Sequence, residues 1–102
     1  MKTPEELAGE RAALIELCLY AYDRARSAAI AVRIEDGLAR VGVRAIRPDS
    51  TRFDPAVHEA GGIEATHDAS LDGTVAQTEL TGFADGATIL RIPVVTVFKA
   101  AR

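Results

Sequence analysis

The stretch TILRIPVVTVFK, residues 88–99, carries apolar side chains at neighbouring positions instead of alternating them with polar ones. In an extended chain, successive side chains point to opposite faces, so this pattern predicts a strand that is covered on both sides. Pro93 lies within the stretch, and a residue without a backbone N–H predicts a sheet edge or a bulge at that point. We therefore expect a β-rich region built around this strand.

Turn signals divide the sequence that precedes this strand. Asp-Gly pairs at 72–73 and 85–86 separate short extended segments at about 63–66 and 74–80 from each other and from 88–99. Asp-Gly between two extended runs is a strong hairpin signal, so we predict a hairpin at each pair.

Two further segments upstream complete the β-rich region. VRAIR, residues 43–47, alternates like a strand and stops at Pro48. DPAVHEA, residues 54–60, begins with a capping residue and a proline and predicts one short helical turn, which the glycine pair 61–62 ends.

The N-terminal part, from Pro4 to about Val41, contains no cluster of turn-forming residues and predicts one long helix. Thr3 is its expected N-cap, Pro4 occupies the first helical position, and Glu6 completes a capping box. The segment 24–28 contains neither glycine nor proline, so we expect no turn there. The prediction is an α+β fold, with a helical segment at 1–41 and a β-rich head at 42–102.

Small and apolar side chains recur along this helix at alternating three- and four-residue steps, which is the spacing of a helix–helix interface. The series is Leu14, Cys18, Ala21, Ala25, Ala28 and Val32. A helix over 4–41 would be about 57 Å long at ~1.5 Å per residue and would project past a head of about 60 residues. We therefore expect a second copy of the chain to cover this stripe, giving a homodimer.

Composition excludes several classes of partner. The 102 residues include 12 Lys+Arg and 15 Asp+Glu, for a net charge of −3. A chain of this charge lacks the basic surface that nucleic-acid binding requires. No apolar run approaches the ~20 residues of a membrane span, and the N-terminus does not have the pattern of a signal peptide. With one cysteine, the sequence predicts a cytoplasmic protein with no nucleic-acid or membrane partner.

The sequence also lacks the motifs that position reactive groups, such as a phosphate-binding loop, a dinucleotide-binding glycine pattern or a nucleophile elbow. Cys18 lies in mid-helix with no histidine nearby, which favours a small buried side chain over a nucleophile. We predict that the chain is not an enzyme and uses no metal or cofactor. One alternative stays open, a metal-dependent hydrolase using His58, His67 and nearby acids, although their spacing matches no known site.

Five motifs between Leu38 and Arg91 occur in a fixed order and together resemble one family. They are LxxVGV (38–43), IxP (46–48), FDPxxHEA (53–60), DGTV (72–75) and GFxxGxxxLR (82–91). In this order and spacing they resemble the C-terminal head of the bacterial GrpE family, whose members are nucleotide exchange factors for DnaK-type chaperones. The chain is similar to a shortened or divergent member of that family.

The resemblance implies a co-chaperone of protein folding and the stress response. It implies a homodimer in which paired helices carry two small β-rich heads. One head docks on the ATPase domain of the chaperone and favours an open nucleotide cleft, so that ADP leaves.

The resemblance also assigns roles to residues. The implied partner-binding residues are Phe83, Asp85, Thr88, Leu90, Arg91 and Val97, and the implied structural motif is Phe53, Asp54, Pro55, His58 and Glu59. Thr88 stands where many members carry an arginine, and losing that charged donor is expected to weaken or redirect docking. The alternative function is therefore a divergent GrpE-like module that binds a different partner without exchange activity.

Overall fold

Two helices are followed by six strands in the computed structural model, which describes residues 1–101. The elements are α1 (Pro4–Asp23), α2 (Ala28–Arg40), β1 (Val43–Ile46), β2 (Glu59–Thr66), a 3-10 helix (Ala69–Leu71), β3 (Val75–Leu80), β4 (Gly82–Asp85), β5 (Thr88–Arg91) and β6 (Val94–Ala100). The chain divides into a helical unit, Met1–Gly42, and a β-rich unit that begins at Val43. The predicted α+β fold, with a β-rich region after an N-terminal helix, is confirmed.

The first helix begins where the sequence predicts. The Thr3 hydroxyl accepts a hydrogen bond from the Glu6 N–H at 3.1 Å, and the Glu6 carboxylate accepts one from the Thr3 N–H at 3.4 Å. These bonds satisfy donors that have no partner within the helix. The predicted capping box is therefore confirmed.

The prediction of one continuous helix over 4–41 is wrong, because the helix ends at Asp23 and a second begins at Ala28. The Arg24 guanidinium lies 3.7 Å from the centre of the Tyr20 ring and donates to the Tyr20 carbonyl at 3.3 Å. The Ser27 hydroxyl caps α2 by accepting the Ile30 N–H at 3.2 Å. Side chains satisfy the backbone groups at both helix ends, so this turn requires neither glycine nor proline.

Because the chain turns here, α1 and α2 pack against each other within the helical unit. Only Ile15 of α1 and Leu38 of α2 become buried. The length of the helical segment therefore does not require a second chain to cover it. Large apolar side chains nevertheless remain exposed on this unit, namely Leu7, Leu14, Leu17, Tyr20, Ile30, Val32 and Val41.

The β-rich unit contains two three-stranded sheets, in the orders β1-β4-β5 and β2-β6-β3. The first sheet is antiparallel throughout, whereas in the second β6 runs parallel to β2 and antiparallel to β3. Phe83 and Val43 in the first sheet and Val75 and Val95 in the second are almost completely buried. These aliphatic and aromatic side chains form the core of the unit.

The stretch 88–99 forms two strands instead of one, since Pro93 separates β5 from β6 and the two strands belong to different sheets. Pro93 is buried and has no N–H to donate, but its carbonyl accepts the Glu59 N–H at 2.9 Å. β6 is the central strand of its sheet, and Val95 within it is completely buried.

The two Asp-Gly pairs have different outcomes. The pair at 85–86 lies in the turn between β4 and β5, so that predicted hairpin is confirmed. The pair at 72–73 lies between the 3-10 helix and β3, and the hairpin predicted there is wrong. β2 and β3 each pair with β6, which separates them, so no local turn joins paired strands at this point.

The segment 54–60 contains the predicted short turn, because the N–H groups of Val57 and His58 both donate to the Asp54 carbonyl, at 3.1 and 2.8 Å, but the glycine pair 61–62 does not end it. A hydrogen-bonded turn spans 55–57, and β2 begins at Glu59 and continues through the glycine pair 61–62 with a bulge between Ala60 and Gly62. A side chain at Gly61 would place its Cβ 2.6 Å from Val94 Cγ1, so close strand packing accounts for this glycine.

Among residues 1–101, no helix has both the length and the apolar character needed to cross a membrane.

Candidate partner-binding site

The hairpin formed by β4 and β5 contains most of the residues implied to bind a partner. Its two-residue loop consists of Gly86, which has a φ of 58°, and Ala87, which has no positive φ. A positive φ at the first loop position alone is the geometry of a type II′ turn, which matches the twist of the paired strands. The loop therefore holds the hairpin in a defined register.

Register determines which side chains share a face of the hairpin. Thr88 is opposite Asp85, and Arg91 is opposite Phe83, with a bulge in between that accommodates Leu90. Residues that are opposite each other on paired strands point to the same side of the sheet. We call the side that carries Phe83, Asp85, Thr88 and Arg91 the docking face.

Arg91 is held in place on the docking face. Its guanidinium carbon lies 5.4 Å from the centre of the Phe83 ring, and its Nε donates to the Thr81 carbonyl at 2.8 Å. An arginine that is already oriented loses less side-chain entropy when it binds an acceptor. The side chain is therefore suited to recognition of a carbonyl or carboxylate.

The candidate residues differ in how far they reach the surface. Thr88 and Leu90 are exposed, and Asp85 and Arg91 are half-buried. Phe83 points to the same side but is fully buried under the Arg91 guanidinium, so it presents no surface of its own. The structure thus brings five of the six candidates together in one hairpin and places the sixth, half-buried Val97, in the central strand of the other sheet.

The opposite side of the first sheet carries a pocket of about 290 Å³ that sequence reasoning missed. We call it the Ile89 pocket; its lining residues are Ile46, Ala56, Val57, His58, Ile89, Ile92 and Pro93. Strand alternation, which puts Ile89 on the face opposite Thr88, is the sequence signal for this surface. Residues 56–58 reach the pocket only through the folding of the chain, and no sequence pattern predicts that they line it.

The implied structural motif forms a tight turn beside this pocket. The His58 Nδ1 accepts the Asp54 N–H at 3.0 Å, and the His58 N–H donates to the Asp54 carbonyl at 2.8 Å. The Asp54 carboxylate accepts the Ala56 N–H at 2.9 Å. The Phe53 and His58 rings are 5.9 Å apart, and the Phe53 N–H donates to the Gly73 carbonyl. The turn thus orients the His58 ring.

The residues predicted to form a helix–helix interface are distributed over both helices and the turn. Leu14, Cys18 and Ala21 lie in α1, Ala28 and Val32 in α2, and Ala25 in the connection between them. Leu14 and Val32 are 64% and 53% exposed, while Cys18 and Ala25 are half-buried and Ala21 and Ala28 are exposed. Because the helix is broken, the six residues lie in two helices and the turn between them and do not form one continuous helical stripe.

An apolar groove of about 610 Å³ lies between α1 and α2, and Leu14 and Cys18 are among the residues that line it. Leu7 and Ile15 of α1 and Leu38 of α2 provide further apolar surface in this groove.

Two carboxylates in the β-rich unit have lowered pKa values. Hydrogen bonds from the Thr96 hydroxyl at 2.6 Å and the Gln77 amide at 2.7 Å lower the pKa of Glu79. Hydrogen bonds from the side chain and backbone of Ser70 lower that of Asp68. Both carboxylates lie outside the β4–β5 hairpin.

Within the described chain, no three histidine, cysteine, aspartate or glutamate side chains come together as metal ligands would. The alternative of a metal-dependent hydrolase thus has no ligand cluster at His58 or His67 in residues 1–101.

No family model matches the sequence. Curated proteins named GrpE do match it: the one from Methylobacterium nodulans is 42% identical over 62 residues, or 61% of this chain and 27% of that protein. Those from Trichodesmium erythraeum and Trichormus variabilis are 40% and 38% identical over 65 residues, or 64% of this chain and 26% of each relative. The chain thus spans about a quarter of the length of these relatives. Over roughly three fifths of its residues, this chain is GrpE-like, as its sequence motifs predict.

Proposed function

We propose that this chain is a GrpE-like co-chaperone that accelerates the release of ADP from a DnaK-type chaperone. The observation that carries the proposal is the identity of 38–42% to several proteins named GrpE. The hairpin, with Thr88 and Leu90 exposed and Arg91 oriented by the Thr81 carbonyl, supports its role as the docking element.

The proposed action requires binding alone. A protein that binds the open form of the ATPase domain more tightly than the closed form shifts the population towards the open form. By thermodynamic linkage, bound nucleotide then weakens binding of the exchange factor by the same factor. No proton transfer or nucleophile takes part in this mechanism.

We propose further that the helical unit forms a homodimer. Burial of only Ile15 and Leu38 leaves the unit with little core, while Leu14 and Val32 are more than half exposed. A second copy that packs α1 and α2 against the same surface would remove this apolar area from water, at about 25 cal/mol per Å².

Replacing Leu14 with glutamate is expected to dissociate this dimer. The substitution places two carboxylates, one from each copy, at a surface that must lose its water on association. Ala12→Glu is the matched control, because Ala12 is exposed and lies about 160° around the helix from Leu14 at 100° per residue. Light scattering should give a dimer for the wild type and Ala12→Glu and a monomer for Leu14→Glu; a monomeric wild type would contradict the proposal.

The exchange activity itself is tested by stopped-flow release of fluorescent ADP from a DnaK-type chaperone of the same organism. We expect acceleration by the wild type and about tenfold tighter binding by Thr88→Arg, since a hydrogen bond to a charged group contributes about 1.5 kcal/mol. Ala65→Arg adds the same charge on β2, outside the hairpin, and should leave the affinity unchanged.

The alternative, a GrpE-like module that docks on a different partner, is motivated by Thr88. It would be favoured if a folded, dimeric protein at saturating concentration produced no acceleration. Acceleration that responds to Thr88→Arg and not to Ala65→Arg would exclude it.

A further inference from the structure

The Ile89 pocket lies on the side of the β1-β4-β5 sheet opposite the docking face. Ile46 at the end of β1 and Ile89 in β5 line it from the sheet, and Ile92 and Pro93 line it from the β5–β6 junction. The turn that carries Val57 and His58 supplies another wall. Three chain segments distant in sequence thus converge on one concave surface.

The pocket is apolar and open to solvent. Val57 and Ile89 are each 48% exposed and Ile92 is 37% exposed, so three large aliphatic side chains lie side by side in contact with water. Apolar surface that converges in this way marks sites of association. A volume of about 290 Å³ exceeds the ~150 Å³ of an apolar cavity that binds benzene, so one branched aliphatic or phenyl side chain fits.

Two polar groups accompany this apolar surface. Because His58 Nδ1 accepts the Asp54 N–H, the neutral ring carries its hydrogen on Nε2, and this donor has no partner among the described residues. Arg44 is exposed and lies in the same row of the sheet as Ala84 and Ile89, about 10 Å from Ile89. Arg44 has no hydrogen bond or ion pair within residues 1–101.

These features specify the chemistry of the occupant. An apolar side chain of the occupant would fill the pocket. A carboxylate next to it in sequence would accept a hydrogen bond from the His58 Nε2–H or from the Arg44 guanidinium. The acid nearest in the turn, Asp54, already accepts the Ala56 N–H. We propose that the Ile89 pocket binds an acidic segment of a partner protein by inserting one aliphatic or aromatic side chain that a carboxylate flanks.

This surface goes beyond the proposed exchange function, because it lies on the opposite face of the sheet from Thr88 and Arg91. A chain with both surfaces could bind the chaperone through the docking face and a second protein segment through the Ile89 pocket. The two surfaces share β5, so occupation of the pocket covers only the side that carries Ile89.

The test is NMR titration of the full chain, labelled at its isoleucine methyl groups, with three peptides. The first is acetyl-Glu-Leu-Glu-amide, the second has alanine in place of leucine, and the third has lysine in place of both glutamates. We expect the first peptide to shift the methyl signals of Ile46, Ile89 and Ile92 and to leave that of Ile63 unchanged. The alanine peptide should bind at least tenfold more weakly, and the lysine peptide at least threefold more weakly.

Two substitutions localise the binding. Ile89→Ser should abolish the shifts, whereas Ile63→Ser, the same change at a side chain 70% exposed on β2, should leave them intact. If the Ile89→Ser protein does not show the dispersed methyl spectrum of a folded protein, the Ile92→Ser variant is used in its place. His58→Asn keeps an acceptor for the Asp54 N–H and removes the ring Nε2–H, so the preference for glutamate over lysine should fall at least twofold.

Equal affinity for the leucine and alanine peptides would overturn the proposal. Shifts at Ile63 as large as those at Ile89, or binding that Ile89→Ser and Ile92→Ser leave unchanged, would also overturn it. Because no chaperone is present, these outcomes are independent of the exchange measurement.

Discussion

Replacing Phe83 with alanine should unfold the β-rich unit. Phe83 is fully buried in the middle strand of the β1-β4-β5 sheet, and Phe→Ala substitutions in such positions cost about 3–5 kcal/mol. A unit of about 60 residues has a stability of roughly 3–9 kcal/mol at 0.05–0.15 kcal/mol per residue. The loss is therefore comparable with the whole free energy of unfolding.

Urea denaturation followed by circular dichroism measures this effect. Thr88→Ala is the matched control in the same hairpin, because Thr88 is exposed and its truncation should change stability by no more than about 0.5 kcal/mol. A Phe83→Ala protein that unfolds cooperatively at the urea midpoint of the wild type would show that Phe83 is not the centre of this core.

Replacing Gly82 with alanine should destabilise the same unit by about 3 kcal/mol, the upper range for overpacking. A Cβ at Gly82 would lie 2.6 Å from Pro93 Cδ, 2.7 Å from Pro93 N and 3.0 Å from the Arg91 carbonyl oxygen. Backbone and ring atoms cannot rotate away as a flexible side chain can. β4 would have to move away from the junction between β5 and β6.

Gly9→Ala is the matched control with the opposite expected sign. Nothing lies within 4 Å of a Cβ at Gly9, which is in the interior of α1, so alanine should stabilise that helix by about 1 kcal/mol. Thermal melting should show a decrease of more than about 10 °C for Gly82→Ala and no decrease for Gly9→Ala. Equal melting temperatures for Gly82→Ala and the wild type would contradict the close approach of Pro93.

Predictions from neighbouring residues succeeded where the interaction is itself local. The capping box joins Thr3 to Glu6, and the β4–β5 turn depends on a glycine at position 86 with a positive φ. Both arrangements are formed within four residues, so their energies depend little on the rest of the chain.

Two predictions failed for different reasons. The break after Asp23 is stabilised by local contacts, Arg24 packing on Tyr20 and the Ser27 cap, but neither residue type marks a helix end as glycine or proline does, so an unbroken helix was predicted. The hairpin predicted at 72–73 was wrong because β6 inserts between β2 and β3. A local turn signal cannot reveal a strand that enters the sheet from later in the chain.

The candidate site shows the same division. The sequence motifs identify the segment 82–91, and strand alternation separates Thr88 from Ile89. Only the packed structure shows that Phe83 is fully buried under the Arg91 guanidinium and that Arg91 is oriented by the Thr81 carbonyl. The Ile89 pocket likewise requires the turn at 56–58 to meet β1 and β5, which the spacing of these residues does not specify.

By itself, the sequence determined the α+β class, the start of α1, the β4–β5 hairpin and the resemblance to GrpE, because each is encoded by short-range patterns or ordered motifs. Tertiary structure alone decided that residues 88–99 form two strands in different sheets and which side chains of the hairpin reach the surface. Those outcomes depend on burial and hydrogen bonding between segments far apart in the chain, whose free energies no local pattern contains.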